Sequence, residues 1–124
     1  MSEFPKPKFS ISEDDPDERT RVLTATGEVH VSTAPQLAES LDAALDAGRT
    51  RLVLDFSGVQ FIDSTGLSVL LNALRRLSRD DGALSLVCTN PTVLRLFEIT
   101  RLDATFDIVA TRDEALRHVA LTTG

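Results

Sequence analysis

The sequence has no tryptophan, no tyrosine, one cysteine and two histidines among its 124 residues. The single cysteine, Cys88, excludes an internal disulfide, and the two histidines form no cluster at metal-ligand spacing. No apolar run approaches the ~18 residues that cross a bilayer, and the first residues lack the hydrophobic centre of a signal peptide. We therefore expect a cytoplasmic protein with no metal, no cofactor and no membrane partner.

The chain also lacks an excess of basic residues. Its formal net charge is -6, and a negative domain repels nucleic-acid phosphates unless a local basic patch offsets the overall field. The only clustered candidates are Arg75, Arg76 and Arg79, whose spacing is typical of the solvent-exposed face of a helix. No nucleic-acid partner is expected.

What remains is the composition of one globular domain. Hydrophobic residues make up 42% of the chain and charged residues 26%. A chain of this length buries about two thirds of the surface that it exposes when unfolded. We expect a flexible polar lead over residues 1–8 and a single domain over residues 9–122, and the composition gives no indication of an oligomeric state.

Strands and helices are predicted to alternate along the chain. The predicted strands are "FSIS", "RVLTATGEV", "RLVLDF", "ALSLVC" and "TFDIV", and "EDDPDER" is predicted to be an exposed hairpin loop. Helices are predicted from Ser32 or Thr33 to Gly48, after "FIDSTGL", from Asn90-Pro91, and from a capping box at Thr111–Glu114. This alternation implies an α/β fold with a mostly parallel sheet, in which the N-terminal hairpin is antiparallel.

The stretch "FIDSTGL", residues 61–67, places a carboxylate, two hydroxyls and a glycine between two apolar runs. Asp63 or Ser64 can cap the following helix, which is worth roughly 1 kcal/mol. A serine there is exposed near the positive end of the helix dipole, where a phosphate is favoured. The Thr65 hydroxyl is expected to bond locally to the backbone. Ser64 is therefore the preferred phosphate acceptor, with Asp63 and Asp55 expected beside it.

Catalytic interpretations of this stretch meet difficulties of spacing and geometry. A nucleophile elbow needs glycine two residues before the serine, where this chain has Ile62. An aspartic-protease loop needs one hydroxyl residue between aspartate and glycine, and here there are two. A Ser-His-Asp site would need His30 or His118, and nothing resembles an oxyanion hole. We assign no catalytic residue and expect no enzyme, and a hydrolase that uses Ser64 is kept as an alternative.

The segment "LVLDFSGVQFIDSTGLSVLLNALRR" closely resembles the central part of anti-sigma factor antagonists in the STAS domain family. In that family the serine of Asp-Ser-[Ser/Thr]-Gly-Leu is phosphorylated by the partner, and here that serine is Ser64. The resemblance covers nearly the whole chain except its first twenty residues. It implies a mixed, mostly parallel sheet with about four helices packed mainly on one face, in agreement with the more apolar face of "RLVLDF".

The resemblance also implies a mechanism of partner switching. The unphosphorylated domain binds an anti-sigma factor serine kinase of the histidine-kinase-like ATPase fold and so frees a sigma factor. The kinase then phosphorylates Ser64, which breaks the complex, and a serine phosphatase resets it. The residues expected to contact the partner are His30, Ser32, Asp63, Thr65, Gly66 and Leu67. The alternative is a STAS interaction module of another assembly, a lipid-transport accessory or sensory complex, without phosphorylation.

Two positions depart from the family pattern. Many members read Gly-Glu-Leu-Asp where this chain reads Gly-Glu-Val-His, so His30 replaces a carboxylate near the phosphorylation site. Because histidine titrates near neutral pH, we hypothesise that His30 contacts phosphorylated Ser64. Members often carry glycine at the position of Arg101, and an arginine there must either adopt a left-handed conformation under strain or end its helix differently.

Overall fold

The computed structural model describes residues 8–122, so the predicted flexible lead lies almost entirely outside the described residues. The strands are β1 (Ser10–Asp14), β2 (Thr20–Val29), β3 (Arg51–Ile62), β4 (Ala83–Val87) and β5 (Asp107–Val109). The α-helices are α1 (Ala34–Asp46), α2 (Ser64–Arg79), α3 (Pro91–Ile99) and α4 (Arg112–Thr122), with a 3-10 turn at Leu102–Ala104. The sheet order is β1-β2-β3-β4-β5, with β1 antiparallel and the other pairs parallel. The predicted α/β fold is confirmed.

Helices cover both faces of the sheet, but unequally. The larger core lies between the sheet and α1, α2 and α3, and it includes Leu54, Leu70 and Phe97. The smaller core lies beneath α4 on the opposite face and contains Val53 and Val119. The expectation of helices mainly on one face therefore holds for three of the four described helices. Successive residues of a strand point to opposite faces, which is why Val53 meets α4 while Leu54 meets the larger core.

The third strand is longer than the sequence predicts. The pattern predicts a strand at Arg51–Phe56, but β3 continues to Ile62. Its neighbour β4 pairs with it only as far as Asp55. Beyond that point β3 pairs with β2 alone, with two irregularities in register, and the Asn90 side chain donates to the Val59 carbonyl at 3.3 Å. The carboxyl end of β3 therefore projects past the rest of the sheet.

Three helix ends test the predicted caps. Asn90 accepts the N–H of Thr92 at 2.8 Å, which confirms the cap of α3. The Thr111 hydroxyl accepts the Glu114 N–H at 3.2 Å, so this half of the predicted capping box forms, whereas the Glu114 carboxylate accepts the Thr111 hydroxyl at 3.1 Å in place of its backbone N–H. Arg101 follows α3 with a φ of 61°. It thus adopts the left-handed conformation under strain, at a cost of roughly 1–2 kcal/mol.

Candidate functional site

The carboxyl ends of β2 and β3 meet at one edge of the sheet. Val29 stands opposite Ile62 in the parallel register, and the N–H of Asp63 donates to the Val29 carbonyl at 3.1 Å. The residues that follow the two strands are thereby brought together, and we call this region the carboxyl rim (residues 28–33 and 61–66). It holds most of the residues that the sequence singles out, because parallel strands end at the same edge.

Asp63 is the cap of α2. Its Oδ1 accepts the N–H groups of Thr65 and Gly66 at 2.9 and 3.1 Å, and its carbonyl accepts the N–H of Leu67 at 3.0 Å. Its extended backbone, with φ of -110° and ψ of -175°, lets the carboxylate fold back over the first turn. Of the two predicted capping residues, the structure selects Asp63.

Ser64 is left exposed as the first residue of the helix. Its carbonyl accepts the Ser68 hydroxyl at 3.0 Å, but no residue in the described range shares a hydrogen bond with its own hydroxyl. The half-buried Thr65 makes its hydrogen bond through its backbone N–H. The local bond predicted for its hydroxyl is not found among the described residues, where the Ser68 hydroxyl bonds to the backbone instead. The more accessible of the two candidate acceptors is Ser64.

Gly66 lets the start of α2 lie directly on the strand ends. A Cβ at this position would come within 2.7 Å of Ile62 Cγ1 and 2.8 Å of Val29 Cγ1, distances that force one of the groups to move. Leu67 is buried beside it in the larger core. Both residues remain predicted contact residues, but they are buried, and their visible role is to place Ser64 at the surface.

His30 lies on the rim and is engaged on both sides. Its Nδ1 accepts the Ser32 N–H at 3.2 Å, and its Nε2 lies 4.0 Å from Glu28 Oε1. In the neutral imidazole this places the proton on Nε2, facing the carboxylate. The Thr33 hydroxyl accepts the His30 N–H at 3.0 Å and donates to the Glu28 carbonyl at 2.7 Å, so it holds the loop instead of capping α1. The sequence did not indicate Glu28 as the neighbour of His30.

Two large apolar side chains on the rim face solvent. Val31 is 69% exposed and Phe61 is 42% exposed. Neither was predicted as a site residue, although the sequence contains a signal for each. Phe61 and Ile62 are adjacent in a strand, so only one of them can face the core, and Val31 follows the end of a strand in a polar turn. The surface near Ser64 therefore exposes two large apolar side chains that the sequence motif alone does not indicate.

Asp55 is not beside Ser64, contrary to prediction. It precedes the end of β3 by seven residues, a distance of roughly 20 Å along a strand. Its side chain accepts hydrogen bonds from Ser57 and from Arg112. Burial raises the pKa of Asp55, but these bonds and the charge of Arg112 outweigh it and hold the pKa below its usual range. Asp55 therefore belongs to the junction of the sheet with α4.

Other candidate chemistry is not assembled at the rim. His118 Nδ1 lies 3.5 Å from Asp107 Oδ2, which the buried Ser85 hydroxyl contacts at 2.5 Å. These residues link β4, β5 and α4. Burial raises the pKa of the Cys88 thiol, which disfavours the reactive thiolate. The part of the chain that the structure describes contains no group of three potential metal ligands, and none of its helices combines the length and apolar character needed to cross a bilayer.

Comparisons with known proteins agree with this architecture. An anti-sigma-B factor antagonist of Staphylococcus aureus is 34% identical over 76 residues, which are 61% of this chain and 70% of that protein. The crystal structure of an anti-sigma factor antagonist from Mycobacterium paratuberculosis is 31% identical, with a TM-score of 0.83 over 91% of this chain and 95% of that one.

A third similar protein, SpoIIAA of Bacillus, has been solved in two forms. The unphosphorylated form has a TM-score of 0.78 and covers 93% of this chain and 100% of that one. The phosphorylated form has a TM-score of 0.69 and covers 89% of this chain and 99% of that one. Both are 22% identical, a level that supports the fold alone. The family model of the STAS domain matches residues 13–115, which include β2 to β5 and the start of α4. The chain belongs to the STAS domain family.

Proposed function

We propose that this protein is an anti-sigma factor antagonist, a regulatory binding protein whose switch is Ser64. Unphosphorylated, it binds an anti-sigma factor serine kinase and frees a sigma factor. Phosphorylation of Ser64 ends binding, and a serine phosphatase restores it. The observation that carries the proposal is the division of labour at α2: Asp63 caps the helix, which leaves the exposed Ser64 hydroxyl available. Similar proteins named as anti-sigma factor antagonists support it.

In the proposed reaction this protein is a substrate. The Ser64 Oγ attacks the γ-phosphorus of ATP on the kinase, forming an O–P bond. The bond from that phosphorus to the β,γ-bridging oxygen breaks, and ADP leaves. The hydroxyl proton passes to a base on the kinase. The contribution of this chain is to hold an exposed hydroxyl on a rigid helix start, where a kinase can reach it.

The fold tolerates a phosphate on Ser64. A phosphoserine adds about -1.5 to -2 charges, and the helix dipole favours negative charge at this end by roughly 0.3–1 kcal/mol. Two N–H groups of the first turn are already taken by Asp63, whose carboxylate repels the phosphate. These two effects oppose each other, so the phosphate changes the surface much more than it changes the stability of the domain.

The decisive experiment uses purified anti-sigma serine kinases of the source organism with ATP, and mass spectrometry to locate the phosphate. We expect phosphate on Ser64 of the wild type and none on Ser64→Ala. Ser64→Ala should still bind the kinase, whereas Ser64→Asp should bind at least about tenfold more weakly. The matched control is Ser78→Asp, which places the same charge on an exposed serine at the other end of α2.

Two outcomes contradict the proposal. One is phosphate at another residue with Ser64 unmodified. The other is equal binding by Ser64→Ala and Ser64→Asp, since a switch requires a difference in affinity between its two states. A chain that binds none of these kinases would instead belong to another STAS assembly without phosphorylation.

We further propose that His30 acts on the phosphorylated state. Its Nε2 faces Glu28 at 4.0 Å in the unphosphorylated protein, and a phosphate on Ser64 offers it a stronger acceptor. We expect His30→Ala to change the rate of phosphorylation or the affinity for the kinase. His118→Ala is the matched control, because both side chains are 34% exposed and each lies near one carboxylate. If His30→Ala and His118→Ala behave alike, His30 has no role in the switch.

A further inference from the structure

Large apolar side chains are exposed at both ends of the described fold. Val31 and Phe61 lie on the carboxyl rim and are 69% and 42% exposed. Ile99 and Leu121 end α3 and α4 at the opposite edge of the sheet and are 66% and 78% exposed. The rim pair, unlike the distal pair, lies close to Ser64.

The backbone fixes the two rim residues close to Ser64. Phe61 precedes Ser64 by three residues, so their Cα atoms lie within roughly 10 Å. Val31 follows Val29 by two residues, and the Val29 carbonyl accepts the N–H of Asp63 at 3.1 Å. Val31 and Phe61 therefore lie near the start of α2, one just after the end of β2 and the other near the end of β3.

The exposure of Phe61 follows from the length of β3. Ile62 fills the larger core, so Phe61, next to it in the strand, points to the opposite face. The helix α4 covers that face around Val22, Val53, Ala83 and Val87, and along β3 this covered area extends only as far as Asp55, which Arg112 of α4 contacts. The projecting half of β3 is thus uncovered on this face, and an apolar ring remains in water at a cost of roughly 25 cal/mol for each Å² of apolar surface.

We propose that Val31 and Phe61 form an apolar seal that the anti-sigma kinase closes over Ser64. This inference rests on the proposed function and names the chemistry of its partner surface. The occupant is an apolar patch of the kinase next to its ATP site, because the γ-phosphate must reach the Ser64 hydroxyl and the two exposed side chains lie on the same rim. Burying the seal excludes water from the hydroxyl and its surroundings.

The seal explains why phosphorylation ends binding. In the free protein, the phosphate on the exposed Ser64 keeps its hydration. In the complex it lies beneath apolar groups, where an unpaired charge is strongly disfavoured. The carboxyl rim contributes no lysine or arginine to neutralise it, since its charged groups are Glu28, Asp63 and, when protonated, His30. The phosphate is therefore tolerated in one state and rejected in the other.

The first test measures affinity without phosphate. The probe is any purified anti-sigma serine kinase of the source organism that binds the unphosphorylated chain, whether or not it phosphorylates Ser64. We expect Val31→Ala and Phe61→Ala together to weaken binding by at least about tenfold. Phe61→Leu should retain most of the affinity. Ile99→Ala and Leu121→Ala, the matched controls, should stay within about threefold of the wild type.

The second test measures the coupling between the seal and the charge. Ser64→Asp is introduced into the wild type and into Phe61→Ala, and the loss of affinity caused by the aspartate is compared. We expect the loss to be at least about fivefold smaller in the Phe61→Ala background, because water then reaches the carboxylate. An equal loss in both backgrounds shows that the switch works without a seal.

The outcomes separate this inference from the function on which it rests. Binding that is insensitive to Val31→Ala and Phe61→Ala overturns the seal, even if phosphate on Ser64 still releases the kinase. Loss of binding with the distal controls as large as with the rim variants also overturns it. Binding that depends on the seal, with no phosphate transferred to Ser64, supports the seal and contradicts the phosphorylation switch. Binding to no kinase overturns both.

Discussion

The two ends of the parallel sheet hold their side chains in different ways. At the amino end, Arg21 donates to both oxygens of the Asp15 carboxylate at 2.8 and 3.1 Å, and Arg49 donates to the same group at 3.2 Å. At the carboxyl rim, the Ser64 hydroxyl and the apolar seal face solvent. Charge pairing fixes the amino end internally, whereas the groups exposed at the rim are those that the proposed partner would contact.

The contrast extends to the turns. At the amino end Asp17 accepts the N–H groups of Arg19 and Thr20 at 2.8 and 2.9 Å, and Arg49 donates to the carbonyls of Asp17 and Glu18. At the rim, the hydrogen bonds of the Asp63 cap order the backbone around Ser64 and leave the Ser64 hydroxyl without a hydrogen bond in the described range. A rigid backbone with a free side chain is what the proposed modification of Ser64 requires.

The largest effect is expected from crowding the rim. Gly66→Val adds side-chain atoms where even a Cβ would come within 2.8 Å of Ile62 and Val29. We expect a loss of about 2 kcal/mol in the free energy of unfolding, measured in urea, because both neighbours are buried. Binding of the kinase should also fall, because α2 and Ser64 are displaced.

Gly48→Ala is the control for backbone strain. Its φ is 82°, and an added Cβ meets nothing within 4 Å, so only the left-handed backbone is penalised, by roughly 1 kcal/mol. Kinase binding should be unchanged in this variant. A Gly66→Val protein as stable as the wild type would mean that α2 does not need its close approach to the strand ends.

A smaller effect is expected from opening the amino end. Arg21→Met keeps the apolar stem and removes both hydrogen bonds to Asp15. We expect a loss of about 1 kcal/mol at neutral pH, since the Arg21 side chain is only 10% exposed while the partner carboxylate is 35% exposed and regains water. Arg75→Met, at an exposed position of α2, is the control and should cost less.

The stability difference between wild type and Arg21→Met should also depend on pH in a defined direction. The hydrogen bonds from Arg21 hold the pKa of Asp15 below its usual range, and the backbone N–H of Arg19 does the same for the pKa of Asp17. A lowered pKa in the folded state adds stability above the unfolded pKa of about 4, and this stability is lost as the pH falls through the folded value. The gap between wild type and Arg21→Met should therefore narrow below about pH 4. A gap that widens in acid would contradict the pairing.

The sequence predicts the first half of β3 but not the half that projects at the carboxyl end of the sheet. Period-two alternation predicts the first half of β3, but "SGVQ" interrupts the pattern, so the alternation does not predict the projecting half. Because the sequence pattern ends β3 at Phe56, it places Asp55 too close to Ser64. In the structure six further strand residues follow Phe56 and separate Ser64 from Asp55. Residue type alone also left Asp63 and Ser64 as equal caps, because the choice depends on the backbone that pairing with Val29 imposes.

The predicted acceptor, Ser64, follows from spacing, whereas its surroundings do not. Helix periodicity after residue 66 and a capping residue before it place Ser64 in an exposed first turn. The neighbours of His30 are set by a loop whose hydrogen bonds involve Ser32 and Thr33, and loop geometry has no periodic signal in the sequence. Exposure of Phe61 depends on where α4 stops covering the sheet, which is a tertiary property.

Removing the cap of α2 should cost about as much stability as Arg21→Met, and phosphate on Ser64 should partly restore it. Asp63→Ala frees the N–H groups of Thr65 and Gly66, and we expect a loss of about 1 kcal/mol in unfolding free energy. Phosphate on Ser64 can then accept these groups, so phosphorylation should stabilise Asp63→Ala more than it stabilises the wild type. Asp63→Asn, which keeps an acceptor oxygen, is the control. Equal effects of phosphate in all three proteins would exclude competition between Asp63 and the phosphate.

The smallest effect is expected at the turn after α3, at the amino end. Arg101 has a φ of 61° and Asp81, which follows α2, has a φ of 56°. Aspartate tolerates this conformation better than arginine, so Arg101→Gly should raise the free energy of unfolding, measured in urea, more than Asp81→Gly does, by up to about 1 kcal/mol after the entropic cost of glycine. Both turns are distant from the carboxyl rim, so kinase binding should not change. Weaker binding by Arg101→Gly would show that the partner also contacts the amino end, and the functional contrast between the two ends would no longer hold.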